Sequence, residues 1–201
     1  VEFNRLGLVI IDEQQRFGVK QRRSLLEKGQ NVDFLMMSAT PIPRTYAHFL
    51  FGDMDITNIK QMPPGRKPVC TRYIKGKSMA PVLPEILEAI EKGKQCYVVC
   101  PSIEENEMAM RDATSIYNGM KKSLKNVRIG LLHGKLKKEE KEEVMNQFVK
   151  HEIDILVSTT VIEVGIDVKN ATYMVIYDAH RFGLSTLHQL RGRCARSNEQ
   201  G

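Results

Sequence analysis

The chain reads as an α/β fold in which parallel sheets are covered by helices, and three observations say so. Short runs rich in β-branched and aliphatic residues alternate with longer amphipathic segments. Several of these runs are apolar at every position, as strands buried on both faces of a parallel sheet require. Hydrophobic residues make up 42% and charged residues 27% of the 201, the composition of a globular domain rather than of a collagen, a coiled coil or a disordered tail.

Taken in order, the strand candidates are Leu6 to Asp12, Phe34 to Ser38, Val69 to Ile74, Gln95 to Cys100, Val127 to Leu132, Ile153 to Ser158 and Tyr173 to Tyr177. Between the third and fourth, Val82, Leu83, Ile86, Leu87 and Ile90 repeat at three and four, so they mark one face of a helix lying on the sheet. A second helix is predicted from Glu104 to about Lys125, with Met108, Ile116, Met120 and Leu124 as its apolar stripe. The run Lys137-Lys138-Glu139-Glu140-Lys141-Glu142-Glu143 opens a third, with Val144, Met145 and Phe148 turned inward and the charges paired at i,i+4 on a solvated face.

Met62-Pro63-Pro64-Gly65-Arg66-Lys67-Pro68 is the clearest break, because two adjacent prolines and a glycine end the preceding element and stiffen a connector. The division predicted there makes residues 1–65 the tail of one domain and 66–201 a nearly complete α/β domain with five strands. A first part with so few strands should leave an unpaired sheet edge and apolar surface, so residues 1–65 are expected to be poorly ordered or to pack onto another copy. The net charge is +6, with the surplus mostly after residue 65, which suits contact with phosphates without requiring it. No apolar run is long enough to span a bilayer and no secretory signal opens the chain, so a cytosolic protein with no membrane partner is expected. Of the four cysteines, Cys96 and Cys100 share one face of a predicted strand and read as small core residues rather than metal ligands.

Leu8-Val9-Ile10-Ile11-Asp12-Glu13 is a hydrophobic strand ending in two carboxylates, which places them at the carboxyl edge of a sheet, where α/β proteins bind ligands. There an aspartate can hold Mg²⁺ through water while the next acid polarises an attacking water. In isolation, Asp-Glu reads rather as a helix start with the aspartate as its cap. Ser38-Ala39-Thr40-Pro41 follows another apolar strand and offers two small hydroxyls at a turn. Leu131-Leu132-His133-Gly134 and Ser158-Thr159-Thr160 to Gly165-Ile166-Asp167 end two more, and the glycine permits close approach of backbone amides to phosphate. His133 itself reads as a hydrogen-bonded histidine at a strand end. Gln189-Leu190-Arg191-Gly192-Arg193-Cys194-Ala195-Arg196 puts Arg193 and Arg196 on one face if it is helical, so that two guanidinium forks address one anion; a basic helix end is the alternative.

In this order the elements resemble motifs II, III, V and VI of superfamily 2 helicases. Asp12 to Val19, Ser38 to Thr45, Pro63 to Pro68, Thr159 to Val168 and Arg181 to Arg196 resemble the RecG family of branch-migration helicases across essentially the whole chain. The transcription-repair coupling translocases share Arg16-Phe17-Gly18-Val19 and Ser38 to Thr45, but the Pro63 to Pro68 connector and Tyr97-Val98-Val99-Cys100-Pro101 favour the RecG family. A silent nucleic-acid-binding module is the reading from a different class.

The resemblance implies RecA-like P-loop NTPase lobes, one partial and one nearly complete, that use ATP and Mg²⁺ to move on branched double-stranded DNA such as stalled forks and Holliday junctions during repair and recombination. Carried over, Asp12 and Glu13 serve Mg²⁺ and water activation, and Gln15 couples hydrolysis to movement. Ser38 and Thr40 link that site to DNA, Thr159 and Thr160 lie near the DNA backbone, and Gly165 and Asp167 lie near the nucleotide. Gln189, Arg193 and Arg196 face the phosphates. It also implies a bacterial, nucleoid-associated protein that is monomeric at full length. Gln15 stands where the family commonly has histidine, Cys194-Ala195 replace Val-Gly, and Asp178-Ala179-His180 depart from the usual stretch. No Gly-x-x-x-x-Gly-Lys-Ser/Thr occurs in the sequence, so the chain by itself is expected to hydrolyse no ATP and to self-associate through its partial lobe.

Overall fold

In the computed structural model, residues 3–12, 32–38, 55–59, 61, 68–76, 78–101, 107–159 and 168–194 are described, and the chain divides into two units, Val1–Ile59 and Lys60–Gly201. The first unit contains β1 (Leu8–Asp12) and β2 (Asp33–Met37), paired in parallel with Leu8 opposite Asp33 and Asp12 opposite Met37. The two-residue period of a strand sends Val9 and Ile11 to a buried face and Leu8 and Ile10 to the other. That second face is open: Leu8, Ile10, Leu35 and Met37 are 53%, 56%, 48% and 42% exposed. Runs apolar on both sides are therefore buried on one side only here, and an apolar surface of the kind expected for a partial sheet is present.

The second unit is a four-stranded sheet in the order β4-β5-β3-β6, parallel throughout, made of β3 (Gln95–Val99), β4 (Ile129–Leu132), β5 (Ile155–Ser158) and β6 (Ala171–Ile176). Its helices are α1 (Leu83–Glu91), α2 (Glu107–Ser123), α3 (Lys138–Val149) and α4 (Leu184–Arg191). Alternation along the central strand β3 sorts the core into two layers. Tyr97 and Val99 join Leu132 and Leu156 beneath Met145 and Phe148 of α3 and Leu190 of α4. Cys96, Val98 and Cys100 join Ile155 and Val157 beneath Ile86 of α1 and Ala113 and Met120 of α2. Every residue of β3 and β5 is buried, as covering both faces of a parallel sheet demands. Phe148, Leu156 and Leu190 are almost fully removed from water, each worth about 1.5–3 kcal/mol. The buried Gln95 amide donates to the Phe148 and Ile153 carbonyls, both at 2.7 Å, and so ties the end of α3 to the approach to β5.

Two expectations need correction. The run from Val69 to Ile74 forms no strand; apart from half-buried Val69 its residues are exposed, and the Arg72 guanidinium turns to the Glu85 carboxylate of α1, with Nη1 3.0 Å from Oε1. Four strands, not five, make up the described sheet, since an exposed run without a ladder partner gains nothing from the β conformation. On α2, Ala113 is a core residue that the large-residue stripe had not indicated.

Gly130 of β4 shows how closely the strands and their cover approach. A β-carbon there would stand 2.6 Å from Ile153 Cδ1 and 3.3 Å from Leu156 Cδ1, both side chains being buried. Gly130→Ala is expected to destabilise the second unit by about 1–3 kcal/mol, read as a lower urea midpoint at unchanged slope. An unaltered midpoint would count against this packing.

Candidate functional site

In the first unit, β1 carries Asp12 to the carboxyl end of the sheet because four apolar residues before it favour the strand while its own carboxylate favours water. Asp12 is exposed, and its pairing with Met37 puts half-buried Ser38 one residue beyond the same edge. The register thus brings Asp12 and Ser38 to neighbouring strand ends. An exposed carboxylate at such an edge is the hard oxygen donor that a water-retaining Mg²⁺ accepts. Glu13, Gln15 and Thr40 lie outside the described residues.

In the second unit, backbone bonds continue the ladder one step past each strand. Cys100 N–H donates to the Ser158 carbonyl (2.8 Å), Thr159 N–H to that of Leu132 (3.1 Å) and Tyr177 N–H to that of Val99 (2.9 Å). Cys100-Pro101, His133-Gly134, Ser158-Thr159 and Tyr177-Asp178 consequently emerge along one carboxyl edge. Thr159 is 5% exposed, so its place is set by packing as well as by the ladder. Asp178 leaves β6 with φ +46°, the left-handed region that a short polar side chain such as aspartate tolerates. Thr160, Gly165 and Asp167 lie outside the described residues.

The arginine segment is not one helix. α4 ends at Arg191 with Gly192 as its C-cap, and Arg193 N–H to the Leu190 carbonyl (2.9 Å) and Cys194 N–H to the Arg191 carbonyl (3.1 Å) close it with tight i,i+3 turns. Arg193 is therefore carried on a turn that follows the helix. Arg196 lies outside the described residues. Gln189 and Arg193 are both half-buried, and Arg193 is anchored through Leu190, a fully buried core residue; exposed Arg191 instead sits 3.2 Å from His188 Nδ1.

Cys96 and Cys100 are core residues, as expected. Burial pushes both thiols up, that of Cys100 to about 12, so neither is a thiolate at neutral pH. No group of three or more metal-ligating side chains occurs among the described residues.

Lys141 is a contributor that sequence reasoning missed. Its ammonium donates to the Gly134 carbonyl at 2.7 Å, across the turn between β4 and α3. In a run of lysines and glutamates it reads as one more solvated charge, and only the folded turn brings a residue seven positions away within reach. The glutamate at position 140 caps the same turn by accepting from Lys137 N–H at 2.7 Å.

Among the described residues no helix is long and apolar enough to cross a membrane. Residues 79–198 match the family model of the helicase conserved C-terminal domain. The chain is 54% identical over its whole length to proteins named ATP-dependent DNA helicase RecG from Staphylococcus epidermidis and Staphylococcus aureus, and spans 30% and 29% of their lengths. A solved structure of RecG bound to a three-way DNA junction covers all of this chain at 44% identity with a TM-score of 0.71, the chain spanning 26% of it. The RNA- and ADP-BeF3-bound structure of S. cerevisiae Dbp5, at 18% identity and a TM-score of 0.65, shares the fold alone, an α/β RecA-like helicase lobe.

Proposed function

The chain belongs to the family of the helicase conserved C-terminal domain, and from that premise we propose that it supplies the distal part of the first motor lobe and most of the second in a RecG-type ATP-dependent DNA helicase. The observation that carries this reading is collinear: identity of 54% to RecG helicases runs through the whole chain, and Asp12, Ser38 and Thr159 leave their strands at carboxyl edges.

Asp12, with Glu13, would hold Mg²⁺ through water, and the bound ion would offset charge on the β and γ phosphates of ATP. Glu13 orients and deprotonates the attacking water. Gln15 couples that event to movement, Ser38 and Thr40 pass it towards DNA, and Gly165 and Asp167 contact the nucleotide. Thr159 and Thr160 meet the DNA backbone, to which a threonine hydroxyl can donate without reading sequence. Gln189, Arg193 and Arg196 address the phosphates, the arginines stabilising charge as it develops in phosphoryl transfer. The substrate is branched duplex DNA, forks and Holliday junctions, in a bacterial nucleoid. In the isolated chain, the exposed row of Leu8, Ile10, Leu35 and Met37 gives a surface for self-association.

The test is a chimaera in which this chain replaces the matching 30% of the S. epidermidis relative. It is expected to hydrolyse ATP with strong stimulation by a three-way junction, whereas the 201-residue chain alone hydrolyses none. A chimaera that folds and binds ATP but ignores DNA would sink the proposal in favour of a silent module.

A further inference from the structure

We propose that Lys141 is a positioning residue for the nucleic-acid edge: its ammonium, bound to the Gly134 carbonyl, holds the His133–Leu136 turn in register with Thr159. This rests on the reading that the carboxyl edge of the second sheet faces DNA.

The turn is where the chain leaves β4 for α3; its far end is set by the cap on Lys137 N–H and by Leu136 packing on the core, and the stretch before them is held at three points. On the strand side, the Leu132 carbonyl accepts from Thr159 N–H, so the start of the turn and the end of β5 are one unit. Within the turn, Leu136 N–H reaches the His133 carbonyl at 3.2 Å, near the limit of a useful bond. On the helix side, Lys141 supplies the third tie, the 2.7 Å charge-assisted bond to Gly134, which is the shortest of the three. Gly134 and Lys135 are exposed and bury nothing that would fix them otherwise. The weight of holding Gly134 and Lys135 therefore falls on Lys141.

His133 reports on the arrangement. Its Nδ1 is buried with no hydrogen-bond partner among the described residues. Burial first, then the Lys141 ammonium and more weakly that of Lys135, hold the imidazole below the ordinary histidine value, with the carboxylate at position 140 opposing them. Those are the charged groups that face it. Burial and the lysine charges both favour the neutral imidazole over the charged form. One donor of Lys141 is committed to the Gly134 carbonyl and acts through the loop, a role that the salt series separates from a direct phosphate contact.

The experiment compares the wild-type chain with Lys141→Met, which keeps the length of the side chain, and Lys141→Arg, which keeps its charge and donors. Three quantities are measured: amide exchange at Leu136 and Thr159, the NMR titration of His133, and binding of a labelled three-way junction across a salt series. Lys141→Met is expected to speed exchange at both amides, raise the His133 midpoint and weaken junction binding about three- to tenfold without altering the salt slope. Lys141→Arg restores all three. Unchanged exchange at Leu136 in Lys141→Met would overturn the proposal, as would a salt slope reduced by about one with the turn intact, the mark of a phosphate contact. A wild-type chain that binds no junction would overturn the DNA reading of the edge and the positioning role with it. The exchange data tell these failures apart, because they need no DNA.

Discussion

Arg193→Ala in the chimaera is expected to cut DNA-stimulated ATP hydrolysis by about 10³-fold or more, the scale of an arginine acting on a transferred phosphoryl group. The γ-phosphoryl spreads charge over three equatorial oxygens as it departs, and a guanidinium fork already in place meets that charge without reorganising. Arg193 is suited to be in place. Its N–H is bonded at 2.9 Å to the carbonyl of Leu190, whose side chain is wholly buried between α4 and the sheet. The interaction grows as charge develops, so kcat should fall while KM for ATP changes little. Lysine should not rescue it, because a single ammonium cannot reproduce the planar, two-pronged donor. As Arg193 lies outside the hydrophobic core, the fold should survive and the melting temperature should stay close to wild type. Activity retained within tenfold would remove Arg193 from the phosphate site and leave the role to another residue.

The largest effect on stability is expected at the opposite, amino edge of the second sheet. Asp154, buried just before β5, accepts from Arg128 N–H (2.8 Å), Nε (3.0 Å) and Nη2 (2.6 Å), while His151 Nε2 stands 3.7 Å away. Asp154→Ala would strand the Arg128 amide and unpair a half-exposed guanidinium. The cost should be about 2–3 kcal/mol, below the 3–5 of a fully buried pair because Arg128 reaches solvent. For a unit of this size that is a fall of roughly 5–12 °C in melting temperature. Burial raises the Asp154 carboxyl, but the side-chain and backbone bonds from Arg128, its charge and that of His151 outweigh it, so the folded value lies below the ordinary one. The contribution is accordingly complete above the unfolded carboxylate value and disappears as pH falls through the folded one. Wild type and Asp154→Ala should converge in stability on acidification below about pH 4. A difference that persisted undiminished at pH 2 would show that the pair is not its source.

Much of the fold was legible because burial on both faces of a parallel sheet leaves a strong mark. Cys96 to Val99 and Ile155 to Ser158 stand out as unbroken apolar or small runs, and α3 shows its inward residues Met145 and Phe148 despite a mostly charged exterior. The run from Val69 to Ile74 is rich in strand-favouring residues yet forms no strand, because composition registers suitability for a ladder and not the presence of a neighbour to complete it. Spacing along the arginine segment likewise gives no sign of where its helix stops: α4 ends at Arg191, so Arg193 lies on the turn that follows.

Residue types and their order along the chain determined the α/β class, the strand-end positions of Asp12, Ser38 and Thr159, and membership of the helicase C-terminal domain family, since each depends on local chemistry or on collinear similarity. Tertiary structure alone decided that Asp154 is a buried anchor for Arg128, that Gly130 has no room for a methyl group, and that Lys141 belongs to the turn at Gly134. These depend on which atoms packing brings within a few ångströms, and nearness through space is not written in separation along the chain.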